Sequence, residues 1–313
     1  MMTESANPLA VEIAGIAMRT PFVLLSGCVA FAEELLQIEG FDFNAVGAIC
    51  LKGTTLEARK GNAPHRLAET PCGLLNAIGL QNPGSRVVVE EILPRLTAQI
   101  DTPLIANISG ATVEEYGEVA RVFDNSPVKG IEINISCPNV KEGGVAFGSD
   151  PEMAARVVEV VRGATSKPLI TKLSPNVTSI EAVARRVIEA GTDALSVINT
   201  LMGMAIDVKS RKPVLGNIQG GLSGPAVKPV ALLKVWQTYQ VAREKNIPII
   251  GQGGCESAED VLAFFLAGAS ATGLCTTLFS DPLAPQRLLK QTRELLAEQQ
   301  VAQIAELTGG LRV

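Results

Sequence analysis

Residues 168–199 read PLITKLSPNVTSIEAVARRVIEAGTDALSVIN. An apolar run, Leu169 to Ser174, gives way to a stretch in which Ile180, Val183, Ala184, Val187 and Ile188 recur at helical spacing, and a second apolar run, Ala194 to Asn199, follows. Short aliphatic runs separated by a helix-length stretch indicate a strand–helix–strand unit with parallel strands, because a hairpin would join its strands through a tight turn. The same alternation continues in both directions. Further apolar runs occupy Phe22 to Gly27, Gly47 to Gly53, Leu104 to Gly110, Gly130 to Pro138, Ile247 to Gly254 and Ala271 to Phe279, and Pro151 to Ala164 carries Met153, Ala154, Val157, Val158 and Val161 at helical spacing. Eight such alternations predict an α/β fold, a closed (β/α)8 TIM barrel. An open doubly wound sheet usually has fewer strands and a Gly-rich first turn, and no G-x-G-x-x-G follows the first run here. Val11 to Pro21 predicts a short N-terminal β-hairpin capping the bottom of the barrel. Glycines and prolines punctuate the elements rather than gathering in a linker, so residues 1–313 read as a single domain.

Composition agrees and narrows the chemistry. The chain is 47% hydrophobic but only 4% aromatic, so its core must be built from aliphatic residues, as in a parallel sheet covered by helices. With 27 Lys+Arg against 32 Asp+Glu, the chain lacks the basic balance of a nucleic-acid partner. No basic and apolar leader and no membrane-length apolar run is present, so the expected location is cytoplasmic. A single histidine, His65, leaves zinc sites built on several imidazoles out of reach and points acid–base chemistry to other groups. The six cysteines, Cys28, Cys50, Cys72, Cys137, Cys255 and Cys275, contain no C-x-x-C pair. They are expected to be separate thiols, mostly packing residues, with no metal site.

Barrel enzymes carry their chemistry at the C-terminal ends of the strands. The apolar runs end in Ser26, Lys52, Asn107, Asn134 with Cys137, Lys172, Asn199, Gly253–Gly254 and Thr276–Thr277. Taken singly, an Asn or Gly in such a place is an ordinary turn former. Together they make a pocket. Carboxamides both donate and accept, which suits a flat heterocycle with alternating N–H and C=O groups. Lysines supply positive charge for a carboxylate or an anionic reduced flavin, and the glycines and threonines of the last two strands suit a phosphate. The pocket therefore reads as flavin mononucleotide (FMN) beside a small polar ring. Cys137 follows an apolar strand and precedes Pro138 and a Gly-rich loop, and a thiol of modestly lowered pKa can act as a general base without histidine.

Several of these motifs resemble those of the class 1 dihydroorotate dehydrogenases, specifically the class 1B catalytic subunit, over about Pro21 to Pro282. They are SGC (Ser26 to Cys28), LKGTT (Leu51 to Thr55), ETPCGLLNAIGLQNPG (Glu69 to Gly84), INISCPN (Ile133 to Asn139), KLSPN (Lys172 to Asn176), INTLMGM (Ile198 to Met204), GGLSGPAVKPVAL (Gly220 to Leu232) and IPIIGQGG (Ile247 to Gly254). The resemblance implies oxidation of (S)-dihydroorotate to orotate in de novo pyrimidine biosynthesis. Cys137 would be the catalytic base at C5, and the C6 hydride would pass to N5 of FMN. Ser26, Lys52, Gly53, Asn107, Asn134, Lys172, Ile198, Gly224, Gly253 and Gly254 would contact FMN, with Cys275 and Thr276 at its phosphate. Lys52, Asn76, Ala77, Ile78, Gly79, Leu80, Asn134, Asn139, Asn199 and Thr200 would contact substrate. The resemblance further implies a homodimer, and a partner subunit that carries FAD and a 2Fe–2S cluster and passes electrons to NAD. The sequence departs from the family pattern at Cys275, where glycine is usual, at Leu278, where asparagine is usual, and at Ala205, where arginine is expected. A related flavin barrel acting on another pyrimidine, in the manner of dihydropyrimidine dehydrogenase or tRNA dihydrouridine synthase, is the second reading, although the acidic charge speaks against tRNA. Use of fumarate in the class 1A manner is a third. A barrel kept only for binding or as a scaffold is a fourth.

Overall fold

The computed structural model describes residues 7–136 and 147–312. In chain order its strands are β1 (Val11–Ile13), β2 (Ile16–Met18), β3 (Phe22–Leu24), β4 (Ala48–Cys50), β5 (Leu67–Thr70), β6 (Gly73–Asn76), β7 (Leu104–Ile108), β8 (Gly130–Asn134), β9 (Leu169–Leu173), β10 (Ala194–Val197), β11 (Leu201–Gly203), β12 (Ile206–Asp207), β13 (Lys212–Pro213), β14 (Gly220–Ser223), β15 (Ile249–Gln252) and β16 (Ala271–Leu274). Eight of them close into a parallel barrel in the order β3-β4-β7-β8-β9-β10-β15-β16, with β16 returning to β3. Each expected apolar run supplies one barrel strand. The observed strands are shorter than the runs because the hydrogen-bond ladder stops where the chain turns outward to build the upper loops.

The local signals explain the alternation. Strands β7 and β9 are buried along their whole length, as expected where both faces of a parallel strand are covered. The helices that cover them begin at side-chain caps. Thr112 accepts from Glu115 N, Asp150 accepts from Met153 N ahead of Pro151, and Ser179 accepts from Ala182 N, opening helices Val113–Asp124, Pro151–Arg162 and Ile180–Glu189. Each such cap is worth about 1 kcal/mol. The core between helices and strands holds Tyr116 and Phe147, in an edge-to-face contact at 5.8 Å between centroids.

Side chains alternate along each strand, so the barrel interior is read by counting in twos. Its lower layer is apolar: Ile105, Ile170, Ala194, Ile250 and Ala271 pack with Ile13, Ile16 and Met18 of the β1–β2 hairpin. The hairpin expected from Val11 to Pro21 thus seals the barrel floor. Two residues further along the same strands the interior turns polar, with Asn107, Glu132, Lys172, Ser196 and Gln252 all buried.

A second sheet stands outside the sequence expectations. Strands β5, β6, β14 and β11 form an antiparallel sheet beside the cavity, and β12 pairs with β13 in a two-stranded ribbon. Strand β14 pairs with β6 through Gly221↔Asn76, Leu222↔Leu75 and Ser223↔Leu74, a partnership between distant segments rich in glycine. Ala205, at the position where arginine is expected, packs half-buried against the small apolar cluster Ala68, Leu75, Ala77 and Leu215 beneath this sheet.

Candidate active site

The C-terminal ends of the barrel strands and the accessory sheet enclose a cavity of about 340 Å³, within the size range of small-molecule sites. Ser26, Lys52, Gly53, Asn107, Asn134, Lys172, Ile198, Gly224, Gly253, Gly254, Cys275 and Thr276 all line it, as do Asn76, Ala77, Ile78, Gly79, Leu80, Asn199 and Thr200. Cys137 and Asn139 lie outside the described residues. Strand β8 leads to them, and Asn134 and Ser136 at its end face the cavity.

The cavity floor is the polar interior layer. Strand register sets Asn107 opposite Glu132, and Lys172 opposite both Asn134 and Ser196. Glu132 sits at the centre. It accepts from Asn107 Nδ2 at 2.5 Å, from Ser196 Oγ at 2.6 Å and from Cys50 Sγ at 3.2 Å, and its Oε1 lies 3.7 Å from Lys172 Nζ. Glu132 and Lys172 are 2% and 7% exposed, so each is the other's charge compensation in a place that water barely reaches. Burial raises the Cys50 thiol well above its ordinary range, and the neighbouring Glu132 carboxylate raises it further; Cys50 is held as an inert thiol. Two acceptors in this layer, Asn107 Oδ1 and Gln252 Oε1, are buried with no hydrogen-bond partner among the described residues. Both residues line the cavity, and each leaves an oxygen ready for a ligand N–H.

The walls are held by side-chain amide hydrogen bonds. Asn199 Nδ2 donates to Asn134 Oδ1 at 3.1 Å, and Asn176 bridges to the same region, donating to Thr200 O at 2.9 Å and accepting from Met202 N at 2.9 Å. The segment Asn76 to Leu80 bends towards the cavity through a left-handed pair, Gly79 at φ +78° and Leu80 at φ +56°. Such a conformation is unfavourable for leucine. It is fixed by Asn82 Nδ2 donating to Leu80 O at 2.7 Å and by Asn62 donating to Ala77 O and Ile78 O, both at 3.0 Å. Opposite, Lys52 is a largely buried cation. Desolvation lowers its pKa, and repulsion from Arg66 lowers it further.

The last two barrel strands supply a backbone cradle. Gly253 and Gly254 have φ of +131° and +79°, and a Cβ on them would come within 2.8 Å of Ala231 Cβ and 2.7 Å of Gly224 O. Only glycine fits there, which leaves backbone N–H groups free to approach an anion. Cys275 and Thr276 adjoin this cradle along the cavity wall, and Cys275 is not among the non-glycine residues with positive φ. The expectation that all the cysteines are separate thiols is corrected at this point: Cys28 and Cys275 are joined in a disulfide, with Cα atoms 5.3 Å apart. The pairing of β16 with β3, Leu274↔Leu24, brings the residues that follow these two strands together, within disulfide reach. Cradle, lysines and unpaired amide oxygens form a donor and acceptor set that fits a flat heterocycle carrying a phosphate.

Sequence reasoning overlooked Glu132, Gln252 and much of β14. An acidic residue inside an otherwise apolar strand, as in Gly130-Ile131-Glu132-Ile133, is the signal that could have exposed Glu132, since a lone carboxylate is seldom buried without partners.

The sequence profile of the dihydroorotate dehydrogenase family matches residues 8–296. Among curated proteins, "Dihydroorotate dehydrogenase B (NAD(+)), catalytic subunit" of Anoxybacillus flavithermus is 50% identical over 304 residues, 97% of this chain and 96% of its own length. The protein of the same name from Geotalea daltonii is 50% identical over 306 residues, 97% of this chain and 98% of its own.

Proposed function

The chain belongs to the dihydroorotate dehydrogenase family, and from that premise we propose that it oxidises (S)-dihydroorotate to orotate in de novo pyrimidine biosynthesis, with FMN as cofactor and residues 1–313 acting as one domain. The observation that carries the proposal is the meeting of Lys52, Lys172, Asn107, Asn134 and Asn199 with the Gly253–Gly254 cradle in one cavity.

Dihydroorotate presents a carboxylate and a ring of alternating N–H and C=O groups. Lys52, whose charge is desolvated and repelled by Arg66, gains a counter-ion when the carboxylate arrives, so substrate binding relieves a strain in the free protein. Asn134 and Asn199, already bonded to one another, offer their remaining amide valences to the ring, together with Asn139, Thr200 and the fixed turn from Asn76 to Leu80. Cys137 takes the proton from C5. Fixed donors around the ring stabilise the charge that develops as that proton leaves, with no reorganisation at the moment of reaction. Ser26, Lys52, Gly53, Asn107, Asn134, Lys172, Ile198, Gly224, Gly253 and Gly254 would hold FMN, with Cys275 and Thr276 at its phosphate. Bound there, FMN supplies the hydride acceptor for C6.

Relatives named as NAD(+)-linked catalytic subunits support a second subunit that takes the electrons onward. In this proposal that subunit carries FAD and a 2Fe–2S cluster and delivers electrons to NAD, and the barrel works as a homodimer in the cytoplasm. Among the described residues, no helix is long and apolar enough to cross a membrane.

Anaerobic mixing of the FMN-loaded protein with dihydroorotate tests the assignment. The flavin absorbance is expected to bleach with dihydroorotate and to persist with dihydrouracil or dihydrothymine. A loaded protein left oxidised by dihydroorotate would remove the substrate, whereas a protein that takes up no FMN would remove the cofactor.

A further inference from the structure

The carboxylate beneath the cavity has no role in the reaction as proposed so far. Glu132 is 2% exposed and lies in the barrel interior, and a buried carboxylate is retained only where its partners compensate it. Its partners come from four other strands or strand ends. Oε2 takes the Ser196 hydroxyl at 2.6 Å, and Oε1 takes the Asn107 amide at 2.5 Å and the Cys50 thiol at 3.2 Å. Lys172 Nζ stands 3.7 Å from that same Oε1. Cys50 and Lys172 are the titratable groups among these contacts, and the Cys50 thiol, raised by burial and by Glu132 itself, stays protonated as a donor.

Two of these partners, Asn107 and Lys172, line the cavity, while Glu132 is not among its lining residues. The carboxylate therefore stands one layer below the ligand and grips two groups that face it. Asn107 is fixed through its Nδ2, which leaves Oδ1 unpaired and buried. Glu132 thereby decides which end of this amide a ligand meets. Lys172 is drawn to the floor by the opposite charge, in surroundings where an ammonium without a counter-ion is costly to bury.

We propose that Glu132 is a positioning residue: from below the cavity its carboxylate holds the Lys172 ammonium aimed, and Asn107 oriented, towards the flavin. The proposal rests on the reading of this cavity as the FMN site, yet its first test needs no flavin. Acylation consumes the uncharged amine, so a lysine held in an ion pair reacts slowly. FMN-free wild-type and Glu132→Gln proteins are treated with acetic anhydride at pH 7, and labelling of Lys172 is followed by peptide mass spectrometry and normalised to the exposed Lys290. The substitution preserves shape and most hydrogen bonds while removing the charge. Lys172 labelling is expected to rise at least tenfold, and an unchanged rate overturns the proposal. Should Glu132→Gln fail to fold, Ser196→Ala removes one bond to Oε2 and keeps the charge. Because the carboxylate keeps its charge, labelling of Lys172 should stay within twofold of wild type, and a tenfold rise would overturn the proposal by showing that something other than that charge protects the amine.

The second measurement is the midpoint potential of bound FMN. Loss of an aimed cation disfavours reduction, so Glu132→Gln should shift the reduced-to-oxidised ratio at fixed potential at least tenfold towards oxidised, about 30 mV for a two-electron couple. Lys172→Met should do the same. In the double variant the added effect of Glu132→Gln should be under threefold, because both changes act through one ammonium. A rise in potential, no shift, or additive shifts would show that Glu132 does not act through Lys172. Wild-type protein that binds no FMN would instead defeat the flavin reading and leave the labelling result standing.

Discussion

The two ends of the barrel are made by the same eight strands and could hardly differ more. At the bottom, Ile13, Ile16 and Met18 of the hairpin close onto Ile105, Ile170, Ala194, Ile250 and Ala271, an apolar plug with nothing to titrate. One layer up, the next inward residues of those strands are Asn107, Lys172, Ser196 and Gln252, arranged around the Glu132 of β8. The lower layer owes its stability to excluded water. The upper layer gives up that gain and holds buried polar groups, including two acceptor oxygens with no hydrogen-bond partner among the described residues, which in the proposed reading a ligand completes. A step of two residues along one strand therefore separates stability from chemistry.

That division can be broken from either side. The largest effect is expected from Cys137→Ala, which should slow flavin reduction by dihydroorotate by about 10²–10⁴-fold, the usual contribution of a general base, with FMN still bound. Stopped-flow absorbance checks it, and an unaffected rate removes Cys137 from the base role. At the opposite end, Ile16→Ala should cost about 2–4 kcal/mol in urea unfolding, as core truncations do, and leave kcat/KM unchanged. A fall in kcat/KM would show that the plug is coupled to the site.

Smaller changes sharpen the contrast. Ser179→Ala removes the hydroxyl that caps helix Ile180–Glu189 and should cost about 1 kcal/mol, while the potential of bound FMN stays where it was. Lys52→Met should act in the other direction on stability. Burial and Arg66 lower the proton affinity of Lys52 in the folded protein. Between its folded and unfolded titrations the unfolded chain therefore binds more protons, and wild-type stability rises with pH through that window. Replacement removes this slope. The FMN-free variant is expected to be more stable than wild type at neutral pH, on the order of 0.5 kcal/mol, with the advantage fading as pH climbs towards the ordinary lysine range. Thermal melts across pH measure this, and a variant less stable at pH 7 would contradict it.

What could be read from the sequence follows the same division of labour. The barrel strands announce themselves because a parallel strand covered on both faces is an unbroken apolar run, and Ser26, Lys52, Asn107, Asn134, Lys172 and Asn199 because they end those runs; Asn76 to Leu80 and Gly224, which end no barrel strand, come only through the family resemblance. The accessory sheet is silent. Gly220–Ser223 has no apolar period, and its partner β6 lies far away in the chain. Glu132 is only half legible: its place in an apolar strand marks it as unusual, but its meaning comes from Cys50, Asn107, Lys172 and Ser196, each supplied by a different part of the chain. The Cys28–Cys275 bond spans 247 residues, and no local spacing can signal such a pair.

That bond also changes what kind of object the polypeptide is. It ties Cys28, four residues past the end of the first barrel strand, to Cys275, the residue after the last, so the segment between them is a covalent ring. A single proteolytic cut anywhere inside the ring opens it without releasing a fragment, and the nicked protein migrates as one species until a thiol reductant is added. When the folded protein comes apart with the bond intact, it becomes a loop instead of a line. In the chain-entropy view, a ring of this size has roughly 5 kcal/mol less to gain from disorder.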